Sequence, residues 1–343
     1  MENLPESPFT DTTLTSLPSL CNTSTSPSSP VVTQQNPLDL GVATPNQLVL
    51  LLRDVNLREE VIDQLVKKRD ACKDLALLVW NTFNAVFILL QEVIAVHPKL
   101  PSMVTMREST RACNALALFQ VMANNPETRR ELIKAQIPCY FYPFLFKPGG
   151  KDKPLEYLRL TSLGVLGFLT RFDDPYGNEV LDFFMDTEVV HLCLECMDVG
   201  DELSSKVATL IVVKILMQPK GMNYCCASAQ RFYLIVQVLY RVVEKLSEKP
   251  CLLHLKYVIQ CYLSLSGVLR FVRPCDALTS QVPPKLFDGT FTDIVRTDPE
   301  TSRMLYLLHV NIFGYQYFPM NQDSNNVAKP DTTVQKAMGK GKK

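Results

Sequence analysis

The chain has 343 residues, with 35 Lys plus Arg against 35 Asp plus Glu, 47% hydrophobic residues, 13 Gly and 11 Cys. A net charge of zero argues against bulk electrostatic attraction to nucleic acid or to a membrane surface, and the apolar fraction is enough for a large core. Leu-rich segments with helical spacing dominate, which predicts an all-α protein.

Residues 1–44 are rich in Ser, Thr and Pro and poor in large apolar residues, the composition of a disordered tail. Ser7-Pro8, Ser26-Pro27, Ser29-Pro30 and Thr44-Pro45 fit proline-directed phosphorylation or composition alone. Residues 1–20 carry acidic residues and prolines and lack the apolar core of a secretory signal. Helical pattern begins at Pro45, with short helices predicted over 47–53 and 57–68. Asp70 or Asp74 then opens one long helix. Leu75, Leu78, Val79, Phe83, Val86, Phe87, Leu90 and Ile94 follow its 3.6 period, and Pro98 and Pro101 end it. Trp80 is a core residue of that helix. The span 79–96 comes nearest to a membrane segment, but Asn81, Asn84, Gln91 and Glu92 interrupt it.

A helix over 107–124 follows, then short ones over 131–135 and 140–146, the last begun by Pro138 and broken by Pro148-Gly149-Gly150. Residues 154–169 are apolar on nearly every side, as in a helix buried by neighbours all round. Gly164 and Gly167 share a face there. Each costs about 1 kcal/mol of helix propensity relative to Ala, so a neighbouring helix or a partner's backbone must come close. Helices over 179–185 and 188–197 precede one over 206–217, capped by Asp201 or Ser204 and stopped by Pro219 and Gly221. Segments 229–246 and 252–265 are helical, and a final helix runs from Asp298 or Glu300 to 312. Beyond Phe318 the chain is polar and ends in Gly339-Lys340-Gly341-Lys342-Lys343.

A long apolar helix ending in a Pro-containing turn recurs about every 45 residues, the period of armadillo and HEAT repeats. The predicted architecture is an armadillo-like solenoid of about six repeats over 45–313, with tails over 1–44 and 314–343. The long helix of each repeat lines the concave face in such stacks, so Asn114, Tyr157, Gly164 and Val207 are candidates for it.

Specific stretches carry a resemblance. They are Cys113-Asn114-Ala115-Leu116-Ala117-Leu118, Asn125-Pro126-Glu127-Thr128-Arg129, Tyr142-Pro143-Phe144-Leu145, Glu156-Tyr157-Leu158-Arg159-Leu160-Thr161-Ser162-Leu163-Gly164-Val165, Lys206-Val207-Ala208-Thr209 and Cys261-Tyr262-Leu263. Over residues 46–312 the chain resembles the cell-differentiation (RCD) family, the armadillo-repeat subunit of the CCR-NOT deadenylase complex. The resemblance implies a non-catalytic adaptor that works without a cofactor, in cytoplasm and nucleus. It also implies a large NOT scaffold subunit and short peptide motifs of mRNA-binding or silencing proteins as partners. Nucleic-acid binding and homodimers are further properties proposed for the family. By the same resemblance, Tyr157, Gly164 and Val207 belong to a peptide groove, and Phe83, within Trp80-Asn81-Thr82-Phe83, to a second partner surface. Arg231 and Arg270 lie near pockets for tryptophan side chains. The chain departs from the pattern in its C-terminal half, at Ala229, Gln260, Ser264, Gly267-Val268-Leu269 and Met304, as a divergent paralogue would. Single-stranded nucleic-acid binding and a transcriptional-cofactor role are the alternative functions.

Other chemistry is thin. His191 with Cys193-Leu194-Glu195-Cys196 gives an H-x-C-x-x-C run but no second pair at zinc-finger spacing. His97, His191, His254 and His309 have no triad-like companions in sequence. Pro148-Gly149-Gly150-Lys151 lacks the remainder of a phosphate loop. Lys67-Lys68-Arg69, Lys147, Lys151 and Lys153 are basic loop clusters, read as solvated surface. The aromatic run at 313–318 reads as a segment docked on the last repeat rather than a base-stacking platform. With no secretory signal, the cysteines read as reduced thiols.

Overall fold

In the computed structural model the described residues are 39–101, 103–146, 152–268 and 278–314. The expectations for the Ser-Pro pairs before residue 39, for Lys147 and 148–151, for Arg270 and for the tail beyond Gly314 lie outside them. Every regular element among the described residues is helical.

The chain opens with α1 (Pro45–Leu51) and α2 (Arg58–Lys67). Thr44 caps α1 in a reciprocal box with Gln47, with Pro45 in the first turn. Next come α3 (Leu75–Asn81) and α4 (Ala85–Ile94), where the apolar period predicted one long helix. The chain instead turns by 93° between them. Thr82 is extended and Asn84 sits at φ 66°, a left-handed conformation that Asn tolerates better than most residues. The corner also shifts the face that α4 buries: Ile88, Leu89, Leu90 and Val93 enter the core, while Phe83 and Phe87 of the predicted period stay exposed. No single helix among the described residues is long and apolar enough to cross a membrane.

Then follow α5 (Met106–Asn124), α6 (Pro126–Lys134) and a 3-10 turn, Ile137–Phe144, in place of the short α-helix expected there. Pro143 inside that segment removes an amide donor. The central helix is α7 (Lys153–Leu169), followed by α8 (Gly177–Asp186), α9 (Val189–Val199) and α10 (Glu202–Leu216). Asp201 caps α10, accepting from the Ser204 amide at 2.7 Å. The helix stops before Pro219 as expected, α10 ending at Leu216, and Pro219 also starts a helix that was not expected, α11 (Pro219–Cys226), because proline at a first helical position preorganises the turn. The chain closes with α12 (Ala229–Glu248), α13 (Leu252–Val268), the single turn α14 (Thr292–Val295) and α15 (Pro299–Phe313).

Helices α2, α5, α7, α10, α13 and α15 form a ladder, each packed on the next. Their starts are 47–50 residues apart. A second row runs α3, α6, α8, α11. Side-chain bonds at a constant offset of 45 residues tie neighbouring repeats. Ser109 Oγ donates to the Pro154 carbonyl at 2.7 Å, Tyr142 to Thr187 Oγ1 at 2.9 Å, and the Asp201 amide to Glu156 at 3.3 Å. Thr209 meets His254 at 3.0 Å, and Asn311 donates to Ser266 at 2.9 Å. Arg129 pairs with Asp174 in the same register, its side chain 1% exposed. Its other donors reach the carbonyls of Ala123 and Asn124, at the open end of α5, and of Arg171, in the turn after α7. Glu92 on α4 is gripped by Arg58 and Arg111, joining α2, α4 and α5. One continuous apolar core runs from Leu40 to Leu308, as expected where no repeat can bury its own face.

Candidate functional site

Three consecutive rungs, α5, α7 and α10, carry Asn114, Tyr157, Gly164 and Val207. The most enclosed is α7, with Leu158, Leu163, Val165, Leu166 and Leu169 fully buried. Its Thr161 Oγ donates to the Tyr157 carbonyl at 2.7 Å. Tyr157, Thr161, Gly164 and Phe168 therefore follow one another up a single face. The close approach allowed by Gly164 is filled from within. A Cβ there would lie 2.4 Å from Nε2 of Gln120 on α5, and that amide donates to the Thr161 carbonyl at 2.9 Å. Gly167, by contrast, has no atom within 4 Å of its Cβ position.

Most residues on the inner sides of these helices are sealed. A small set retains slight exposure: Ala117 on α5, Leu160 and Thr161 on α7, Val207 and Leu210 on α10, at 6–9%. Asn114 and Tyr157 are half-buried beside them. Around Val207 and Leu210 this side of the ladder is mostly apolar. Lys214 stands two turns beyond Val207 on the same stripe, where burial pushes its ammonium pKa down and Asp173 opposes that shift.

Phe83 and Asn81 belong elsewhere, at the corner between α3 and α4. The left-handed Asn84 turns Phe83 outward, leaving it 74% exposed, with Phe87 at 68% one helical turn on. Arg53 lies over the Phe83 ring, 5.7 Å from its centre, and donates to the Phe83 carbonyl at 3.3 Å. Exposed Leu50 and Val55 flank Arg53 in sequence.

Arg231, on α12, has its guanidinium 3.8 Å from the centre of the Tyr224 ring and donates to the Tyr224 carbonyl. Its charge is committed to α11. Nearby in the C-terminal half, Gln260 Nε2 lies 3.3 Å from the Met217 sulfur.

The H-x-C-x-x-C run is divided between two faces of α9. Cys193 and Cys196 are buried, whereas His191 is exposed and lies 3.4 Å from Glu195. Burial pushes the Cys196 thiol up to about 12 and also raises Cys193 well above its ordinary range. Among the described residues, no group of three or more His, Cys, Asp or Glu side chains is arranged to hold a metal ion, and nine cysteines are free thiols.

The sequence marks Gly164 as a site of close approach and does not say that Gln120 fills it, nor does it show the ties Ser109–Pro154 and Arg129–Asp174. The available signal was the repeat period: a residue 45 positions on is the spatial neighbour.

The pattern of the cell differentiation family, Rcd1-like, matches residues 48–312. Cell differentiation protein rcd1 of Schizosaccharomyces pombe is 42% identical over 256 residues, covering 74% of this chain and 88% of that protein. Protein CAF40 of Saccharomyces cerevisiae is 41% identical over 251 residues, covering 72% of this chain and 65% of that protein. The chain belongs to the Rcd1-like cell differentiation family.

Proposed function

We propose that this chain is a non-catalytic adaptor of the CCR-NOT deadenylase complex, acting in cytoplasm and nucleus. It binds the large NOT scaffold subunit and receives short peptide motifs of mRNA-binding or silencing proteins, bringing the deadenylase to its target mRNA. The observation that carries this reading is the apolar stretch on α7 and α10, with Tyr157, Thr161, Val207 and Leu210 on adjacent rungs. An amphipathic helix or extended segment lays its apolar side chains into such a surface. The zero net charge and the commitment of Arg231 to Tyr224 favour a peptide over a nucleic acid as the occupant.

The test is Val207→Glu, which sets a carboxylate into an apolar contact. Affinity purification of the tagged full chain should recover the NOT scaffold with both proteins, while motif-bearing clients are lost from the variant. Thermal melting of the variant reports whether it is still folded. A folded variant that keeps all of its clients refutes the groove. If wild type recovers no NOT subunit, the adaptor reading itself fails.

A further inference from the structure

The corner between α3 and α4 meets the end of α1 through Arg53, whose guanidinium lies over the Phe83 ring. Leu50 and Val55 on the α1 side, and Phe83 and Phe87 on the corner side, are all more than half exposed. Large apolar side chains gathered on one surface mark a docking site where single ones do not.

The charge within this surface is unlike its neighbours. The other arginines up to Arg111 each hold a carboxylate: Arg58 and Arg111 share Glu92, Arg107 takes Glu59, and Arg69 lies 3.7 Å from Asp70. Arg53 holds none among the described residues. Its contacts are the Phe83 ring, 5.7 Å away at the centre, and the Phe83 carbonyl at 3.3 Å. The adjacent Asp54 is committed to its own turn, accepting from the Asn56 amide at 2.9 Å. Only one of the five N–H donors of Arg53 is engaged, which leaves a fork able to take a carboxylate in two parallel bonds. The ring and the carbonyl already hold the side chain, so little freedom is lost when a partner arrives.

The occupant is read from the same features. A partner whose apolar residues cover Leu50, Phe83 and Phe87 also strips water from Arg53, and a buried guanidinium without a counter-charge is costly. A partner that brings a carboxylate to that point avoids the cost, so the cation selects among apolar partners. Every regular element among the described residues is helical, and the corner has no sheet edge to receive an extended chain. An incoming helix satisfies its own backbone and presents apolar side chains three and four residues apart.

We propose that this corner docks an amphipathic helix of a partner protein, one that sets an Asp or Glu on Arg53 between apolar residues covering Phe83 and Phe87. The site is separate from the groove of α7 and α10 and does not depend on it.

The test uses the full chain and a displayed library of amphipathic helical peptides with randomised positions. Selections run on wild type, Phe83→Ser, Arg53→Glu and Val207→Glu. Phe83 and Arg53 are exposed, so their variants fold, and thermal melting verifies this for all three. Peptides that bind wild type but not Phe83→Ser should carry an Asp or Glu one turn from their apolar residues. On Arg53→Glu that position should change to Lys or Arg. A peptide of the wild-type set should bind Arg53→Gln about tenfold more weakly and bind Val207→Glu undiminished. The proposal is overturned by a library in which no peptide is lost on Phe83→Ser, by selected peptides without an acidic preference, or by an affinity unchanged in Arg53→Gln. Loss on a folded Val207→Glu places the peptides in the groove instead and also overturns it. So does a dimer mass by light scattering that Phe83→Ser abolishes, which assigns the corner to a second copy.

Discussion

Replacing Gly164 by alanine separates helix packing from partner binding. The change removes a mid-helix glycine, which by itself stabilises α7 by about 1 kcal/mol. The new Cβ, however, would sit 2.4 Å from Nε2 of Gln120. The Gln120 side chain can swing away only by giving up its bond to the Thr161 carbonyl, and Gln120 is 5% exposed. A buried amide left unsatisfied costs about 1–3 kcal/mol. The single substitution should therefore be neutral to destabilising by about 2 kcal/mol. In a Gln120→Ala background the obstacle is gone, and the same Gly164→Ala change should stabilise by about 1 kcal/mol. The sign reverses, with a coupling of about 1–3 kcal/mol in a double-mutant cycle. Urea denaturation of the four proteins measures it, and coupling below about 0.3 kcal/mol refutes the assignment of Gln120 as the neighbour for which Gly164 makes room. Motif-peptide affinity measured on the same four proteins then reports on the groove. If affinity follows Gly164 alone, whatever the residue at 120, a partner also approaches there.

Arg129→Met should cost about 3–5 kcal/mol, because it strands Asp174 and three backbone carbonyls in a nearly sealed site; a loss below about 1 kcal/mol in urea denaturation would show that the inter-repeat tie is dispensable. His254 is pushed down from its ordinary 6.5 to about 4 by burial and by Lys206 and Lys245, with Glu202 opposing. The folded state thus resists protonation that the unfolded chain accepts, so this stability is complete above about pH 6.5 and falls, by up to about 3 kcal/mol, as the pH drops towards 4. Urea midpoints at pH 7 and pH 4.5 should diverge less in His254→Gln than in wild type, and equal divergence would remove His254 from the acid response.

The ties at an offset of 45 residues bear on function as well as stability. Ser109–Pro154 joins α5 to α7, Glu156–Asp201 joins α7 to the start of α10, and Thr209–His254 joins α10 to α13. They set successive rungs in one register, so that Tyr157 and Val207 are held on neighbouring helices of a fixed frame. A surface held by such a frame loses little conformational freedom when a short peptide settles on it.

What the amino-acid sequence determined by itself is local or periodic. Helix starts such as Asp201 were legible because capping acts within four residues. The all-α class and the repeat of about 45 residues were legible because every repeat must show an apolar face to the next. The family-specific run around Tyr157–Gly164 was readable as a pattern of residues, though not as a geometry. The corner at Thr82–Asn84 was decided by tertiary structure. Apolar spacing is continuous across it, and a left-handed Asn leaves little trace in sequence, yet this turn is what exposes Phe83. The start of α11 at Pro219 was decided there too, since proline reads equally well as a stop or a first turn until the neighbouring helices are placed. So was the identity of the atom facing Gly164. A glycine in a helix announces that something comes close, and only the packing of α5 against α7, 41 residues apart at Gln120 and Thr161, says what it is.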